Sequence, residues 1–154
     1  MRITAWRIFK AKHAARSFDG EGARRSGGRW NSKGNKMVYT AGHYSLAVLE
    51  ILVNLDRSTI LPSYSVSSVH FDDALVERLD RSRLPANWRL SPAPPDLHGI
   101  GDGWLASGSS VILEVPSVII ETENNYLINP QHPDFSLLSI ALPQPFAFDS
   151  RLLR

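Results

Sequence analysis

The sequence predicts an α+β domain built on a bent, mostly antiparallel sheet with short flanking helices. Short runs rich in β-branched and aromatic residues recur at 3–9, 37–40, 64–70 and 111–115, bounded by turn-forming residues. A single apolar stretch, 46–55, has the length and composition of a helix. Ten glycines and ten prolines in 154 residues supply the turns between these pieces.

Taken in order, residues 3–9 form a strand carrying Trp6 and Arg7, and 37–40 form a second, short one. Between them, 19–36 reads as a glycine- and charge-rich loop. Ser45 is placed to cap the helix over 46–55. Tyr64, Val66, Ser68 and His70 alternate with Ser63, Ser65, Ser67 and Val69 as in a strand, after which Asp72 and Asp73 open a short amphipathic helix through Leu79. Residues 85–101, with Pro92, Pro94 and Pro95, read as a loop that cannot sustain regular structure. A helical turn at 102–106 precedes a Gly108-Ser109-Ser110 hinge. Two β-branched strands, 111–115 and 118–121, are divided by Pro116; 126–128 adds a short segment and 146–148 closes the sheet. There is no repeat or low-complexity tract, so one domain over 1–154 is expected, large enough to bury roughly two thirds of the surface of the unfolded chain.

Composition narrows the function classes. The chain is 43% hydrophobic and 21% charged and has no cysteine, which removes disulfides and thiolate metal sites and suits a reducing cytoplasm. The first residues lack the apolar run of a signal peptide, and no segment approaches the ~20 apolar residues of a membrane span, so a soluble cytoplasmic protein is expected. The net charge of +2 hides an asymmetry: residues 1–36 carry ten of the 17 Lys and Arg against only Asp19 and Glu21. Such a field suits a polyanion, whether nucleic acid, a pyrophosphate or an acidic protein segment, although a solvated basic face accounts equally well for most of these residues.

Glu50 is the anomaly that locates a site. Its neighbours from Leu46 to Val53 are all apolar, so the helix should be largely buried, and a buried carboxylate is costly without a cation or hydrogen-bond donors. Arg29, in the run Gly27-Gly28-Arg29-Trp30-Asn31, and Tyr39 are the obvious partners. The glycines could let backbone N–H groups approach an anion, but Lys33 precedes Gly34 and a strand follows, so this is neither a P-loop nor a dinucleotide fingerprint. The five histidines are scattered without metal-ligand spacing, so no metal is expected. Gly108-Ser109-Ser110 lacks the flanks of a hydrolase nucleophile elbow, and Asn125, Asn129 and His132 read as loop-shaping residues around Asn129-Pro130. Of the four tryptophans, only Trp30 is placed to line a site; the rest read as packing groups.

In succession, Trp6-Arg7, Gly27 to Asn31, Val38-Tyr39, Ala47-Val48-Leu49-Glu50, Gly101-Asp102-Gly103-Trp104-Leu105, Val115-Pro116-Ser117 and the run from Asn125 to Pro133 resemble the RES domain. That resemblance covers nearly the whole chain. It implies a fold similar to diphtheria-toxin-type ADP-ribosyltransferases and a toxin that depletes cellular NAD, its substrate, without a metal. The named arginine and glutamate of the family correspond to Arg29 and Glu50, with Tyr39 and Arg7 in the same pocket. The serine corresponds to Ser110, with Ser117 as the rival. The implied partner is a helix-turn-helix antitoxin of the Xre type that occludes the NAD pocket, with nucleic acid involved only through that antitoxin.

The implied chemistry agrees with the residues. Cleaving the nicotinamide–ribose bond passes through an oxocarbenium-like centre that a carboxylate can stabilise, and forked guanidinium donors match a pyrophosphate. Hydrolysis to ADP-ribose and transfer of ADP-ribose to a protein or to phosphate use the same pocket and differ in the nucleophile. A small basic ribonuclease toxin is the reading from another class, supported by the basic first third of the chain and opposed by the absence of a paired acid–base histidine set or an aromatic–basic strand pattern.

Overall fold

The computed structural model describes residues 1–55 and 61–153. Its longest pairing joins β1 (Arg2–Lys10) to β3 (Tyr64–Asp72), antiparallel along their full length with Arg2 opposite Asp72 and Lys10 opposite Tyr64. On the other side of β1 lies β2 (Val38–Ala41), followed outward by β6 (Asn124–Ile128), β5 (Ile112–Pro116) and β4 (Val76–Arg78). Beyond β3, β7 (Ser139–Ile140) and β8 (Gln144–Phe146) share the opposite edge. Among the described residues only β4 and β5 run parallel; the sheet curls into a half-barrel, and the fold is the α+β class that the residue pattern predicts.

Among the described residues three short α-helices flank the sheet: α1 (Glu21–Ser26), α2 (Tyr44–Leu52) and α3 (Pro95–Ser107). Side-chain alternation along β5 and β6 divides the core. Leu113 and Leu127 pack with Leu97 and Trp104 of α3 and with Trp30 and Met37, whereas Ile112 and Ile128 face a second cluster with Ala5, Val38, Val69 and Phe71. A smaller cluster, Ile8, Ala41, Leu46, Ala47 and Val66, seats α2.

Several expected elements differ. The run after Asp72 is not a helix through Leu79. Asp72 Oδ1 accepts the Ala74 N–H at 2.8 Å, a 3-10 turn spans Asp73–Leu75, and β4 then extends the sheet beside β5. An unpaired β5 edge makes better use of these residues than an isolated short helix would. Residues 118–121 are not a strand either, because Ser117 Oγ accepts the N–H groups of Ile119 (3.1 Å) and Ile120 (3.2 Å) and turns the chain. Inside the expected loop 85–101, Pro95 sits in the first turn of α3, where proline's missing N–H costs nothing. The loop 19–36 contains α1, and Ser45 lies inside α2, whose cap position His43 makes no side-chain bond. Of α2 only Leu46 and Ala47 are buried, so this helix is a half-buried wall rather than a core element.

Trp30 corrects the expectation that it lines a site: it is 2% exposed and packed under α3. The contact is close because Gly101 lets α3 approach the loop backbone, and a Cβ there would fall on the Trp30 carbonyl. Among the described residues no helix is long and apolar enough to cross a membrane. Gly101→Ala is expected to lower unfolding free energy by about 3 kcal/mol, measured by urea titration, whereas a cost below about 0.5 kcal/mol would show that α3 can lift away freely.

Candidate active site

α2, the loop after α1, β1, β2 and the start of β6 surround a cleft of about 1030 Å³. Arg7, Arg29, Tyr39, Glu50 and Asn125 all line it. Four residues chosen from sequence are thus brought together from positions spread over the first third of the chain.

Glu50 projects from α2 and is held from two distant segments. Ser117 Oγ donates to Glu50 Oε1 at 3.2 Å, and Asn125 Nδ2 donates to the same oxygen at 3.0 Å. Glu50 is half-buried at the cleft surface rather than enclosed by the helix, and these two bonds satisfy Oε1. The partners are not those the sequence suggests. Arg29 makes no ion pair with Glu50, although the negative charge of Glu50 acts on it across the cleft. Arg29 Nη1 instead donates to the carbonyls of Trp88 (3.1 Å) and Leu90 (2.9 Å), tying the segment before α3 to the cleft rim. Burial lowers its pKa, and Glu50 and Tyr39 partly offset that shift.

Arg7 sits deeper. Its Nε donates to Ser17 O at 2.7 Å and its Nη1 to Tyr39 O at 3.0 Å. Both acceptors are neutral carbonyls, and loss of water pulls the guanidinium down to about 10, with Asp19 acting weakly the other way. The group remains cationic at neutral pH and fixed in direction, as an anion-binding site needs.

The glycine loop is pinned rather than mobile. Tyr39 Oη donates to Asn31 Oδ1 at 2.6 Å and accepts the Trp30 N–H at 3.1 Å. Burial pushes the phenol above its usual value, so it keeps the proton this bond requires. Asn31, fully buried, spends its amide on the carbonyls of Ala23, Ser32 and Asn35. Asp102 of α3 accepts from the Ser32 N–H and from Asn35; burial opposes its charge, but these bonds outweigh it and hold the carboxyl below the usual range. Gly28 is obligatory here, since a Cβ would lie 2.5 Å from Tyr39 Oη. The Tyr39 hydroxyl is therefore a loop staple, and its ring packs at the edge of the α3 cluster while lining the cleft.

Ser110 lies outside the cleft. Its Oγ accepts from Trp104 Nε1 at 2.8 Å and donates to Ile112 O at 3.0 Å, which locks the end of α3 to β5. Ser117, the rival, is the serine beside Glu50. Asn129 and His132 do shape a loop, accepting the N–H groups of Gln131 and Asp134. Asn125 does not: it stands in β6 opposite Ala41 and reaches Glu50. It opens the Asn125–Pro133 run that resembles the family, but its contact with Glu50 depends on the β5–β6 register, which sets Asn125 opposite Val115, two residues before Ser117. Trp6 takes the lining place expected of Trp30, stacked on Tyr44 with ring centroids 4.7 Å apart. Among the described residues, no group of three or more His, Asp or Glu could hold a metal.

Tyr39→Phe strands the Trp30 N–H and Asn31 Oδ1. The expected loss is about 1–3 kcal/mol of stability, read by thermal or urea unfolding, and a neutral effect would mean that water replaces the hydroxyl.

Residues 4–149 match the RES domain. The chain is 42% identical over 148 residues to Toxin Res of Yersinia enterocolitica, covering 96% of this chain and 97% of that protein. It is 35% identical over 159 residues to the Prs ADP-ribosylating toxin of Sphingobium sp. (strain YBL2), covering 100% of this chain and 99% of the relative. Among solved structures, a chain of the M. tuberculosis MbcT–MbcA toxin–antitoxin complex superposes with a TM-score of 0.76 at 18% identity, over 96% of this chain and 85% of that one, which shows a shared fold. A match along nearly the whole length, with relatives of the same size, means that this chain belongs to the RES domain family.

Proposed function

We propose that this chain is the toxin of a toxin–antitoxin pair and that it breaks the nicotinamide–ribose bond of NAD. The observation that carries the reading is Glu50: a carboxylate held at one oxygen by Ser117 and Asn125, in a cleft that Arg7 and Arg29 also line. An anion beside the anomeric carbon stabilises the positive charge that develops as nicotinamide departs. Two guanidinium groups in the same cleft suit the pyrophosphate. The Tyr39 ring offers a flat apolar face to nicotinamide or its ribose. Nicotinamide leaves from NAD as a neutral molecule, so this scheme needs no metal. The toxin names of full-length relatives support the biological side of the reading.

Hydrolysis, with water as nucleophile, is the first reading, and growth arrest through loss of cytoplasmic NAD is its consequence. Transfer of ADP-ribose to a cellular protein is a second, favoured by the printed name of the Sphingobium relative. The two are separated by mass spectrometry of products formed with and without cell extract. A ribonuclease would lose RNA affinity steeply as salt rises, which NAD cleavage would not.

Glu50→Gln keeps shape and removes charge. It is expected to lower kcat for NAD cleavage at least ~100-fold with the fold intact. Arg29→Lys is expected to raise KM, because one ammonium cannot replace a forked donor that also ties down Trp88 and Leu90. Full activity in Glu50→Gln would sink the assignment, and an unchanged KM in Arg29→Lys would leave Arg7 as the anion clamp.

The partner that fits is an antitoxin of the Xre helix-turn-helix type whose terminal segment enters the cleft, its carboxylate pairing with Arg29 or with Lys33 at the rim. Nucleic acid then contacts the antitoxin and not this chain. Co-expression is expected to restore growth, and the purified complex is expected neither to bind nor to cleave NAD. A complex that binds NAD as tightly as the free toxin would replace occlusion with distortion around Glu50.

A further inference from the structure

Asn125 lines the cleft and touches Glu50, yet the chemistry above gives it no task. A carboxylate can only accept, so the contact fixes the amide orientation: Nδ2 points at Glu50 Oε1 and Oδ1 points away. Oδ1 is then buried without a hydrogen-bond partner among the described residues. A side chain kept for packing or stability would not be left in this state, because a small apolar residue would remove the orphaned oxygen. The backbone beneath it is held on both sides, by Ala41 of β2 and Val115 of β5. With only two side-chain dihedrals on a doubly paired strand, Asn125 is a rigid donor. Ser117 Oγ arrives at the same carboxylate oxygen from another direction, itself fixed by accepting two backbone N–H groups. Two immobile donors on one oxygen define the plane of the carboxylate, which a single donor does not.

We propose that Asn125 is a positioning residue for Glu50, gripping Oε1 together with Ser117 so that the carboxylate is oriented toward the reacting ribose. The proposal rests on Glu50 acting as the charge-stabilising group. Orientation of this kind alters the rate of the chemical step more than it alters substrate affinity.

The test uses the whole chain in three forms: wild type, Asn125→Ala and Asn125→Asp. The Asp variant preserves volume and replaces the donor with an acceptor, so it remains informative if the Ala variant fails to fold. Both are expected to lower kcat for NAD cleavage about 10- to 100-fold while KM changes less than about threefold. Melting temperature in Asn125→Ala is expected to change little, since the orphaned Oδ1 is lost together with one of the two donors to Glu50. Crystal structures of both variants are expected to show the Glu50 carboxylate rotated out of the plane it holds in the wild type. Wild-type kcat in either variant overturns the proposal, as does a fall in kcat that merely matches a lost folded fraction. An unmoved Glu50 in both crystals overturns it independently of activity. If the wild-type chain leaves NAD intact, the NAD reading is what fails, and the crystal geometry alone decides the role of Asn125.

Discussion

Two donors that converge on one oxygen of the half-buried Glu50 carboxylate organise the cleft. Glu50 takes its bonds from Ser117 and Asn125, 67 and 75 residues further along the chain. For both to arrive, β5 must end in the turn that begins at Ser117, β6 must pair with β5 and β2 in one register, and α2 must seat on the sheet through Leu46 and Ala47. A one-residue slip of β6 would turn Asn125 to the other face and leave Glu50 with a single donor. The sheet register and the candidate chemistry are thus one constraint.

A second set of bonds fixes the opposite wall. The loop after α1 is rich in glycine, but Tyr39, Asn31 and Asp102 tie it to β2 and α3. Glycine serves close approach here: Gly28 admits the Tyr39 hydroxyl and Gly101 admits the Trp30 backbone. Arg29 leaves this stiffened loop and spends one nitrogen on the segment before α3. Arg89 fastens the same segment to Val118 O at 3.0 Å, immediately beyond Ser117. The two walls are therefore linked by backbone carbonyls that accept from arginine, and both arginines line the cleft.

Polar groups in the cleft are divided between structure and ligand. The hydroxyl of Tyr39 and the amide of Asn31 are consumed by the loop, whereas Arg7 keeps its charge among neutral carbonyl acceptors. A buried cation without a carboxylate in contact stabilises an anionic ligand more than it stabilises the fold. The cleft thus carries cationic groups, Arg7 and Arg29, and one carboxylate, Glu50, in the same lining.

The sequence by itself determined the α+β class, most of the strands and the anomaly at Glu50 with Arg29 and Tyr39 as its companions, because alternation and a misplaced charge are local signals, whereas Arg7 joined them only through the family resemblance. It misjudged elements whose state depends on a neighbour: the segment after Asp72 became strand because β5 offered an edge, and 118–121 became a turn because the Ser117 hydroxyl captured two backbone N–H groups. Only the tertiary structure decided that Ser110 braces Trp104 while Ser117 meets Glu50, that Trp30 is core while Trp6 lines the cleft, and that Asn125 belongs to the site. The reason is physical. Which of two chemically identical side chains reaches a given oxygen is set by strand register and by the direction in which the chain leaves the sheet, and both are fixed by contacts between residues far apart in sequence.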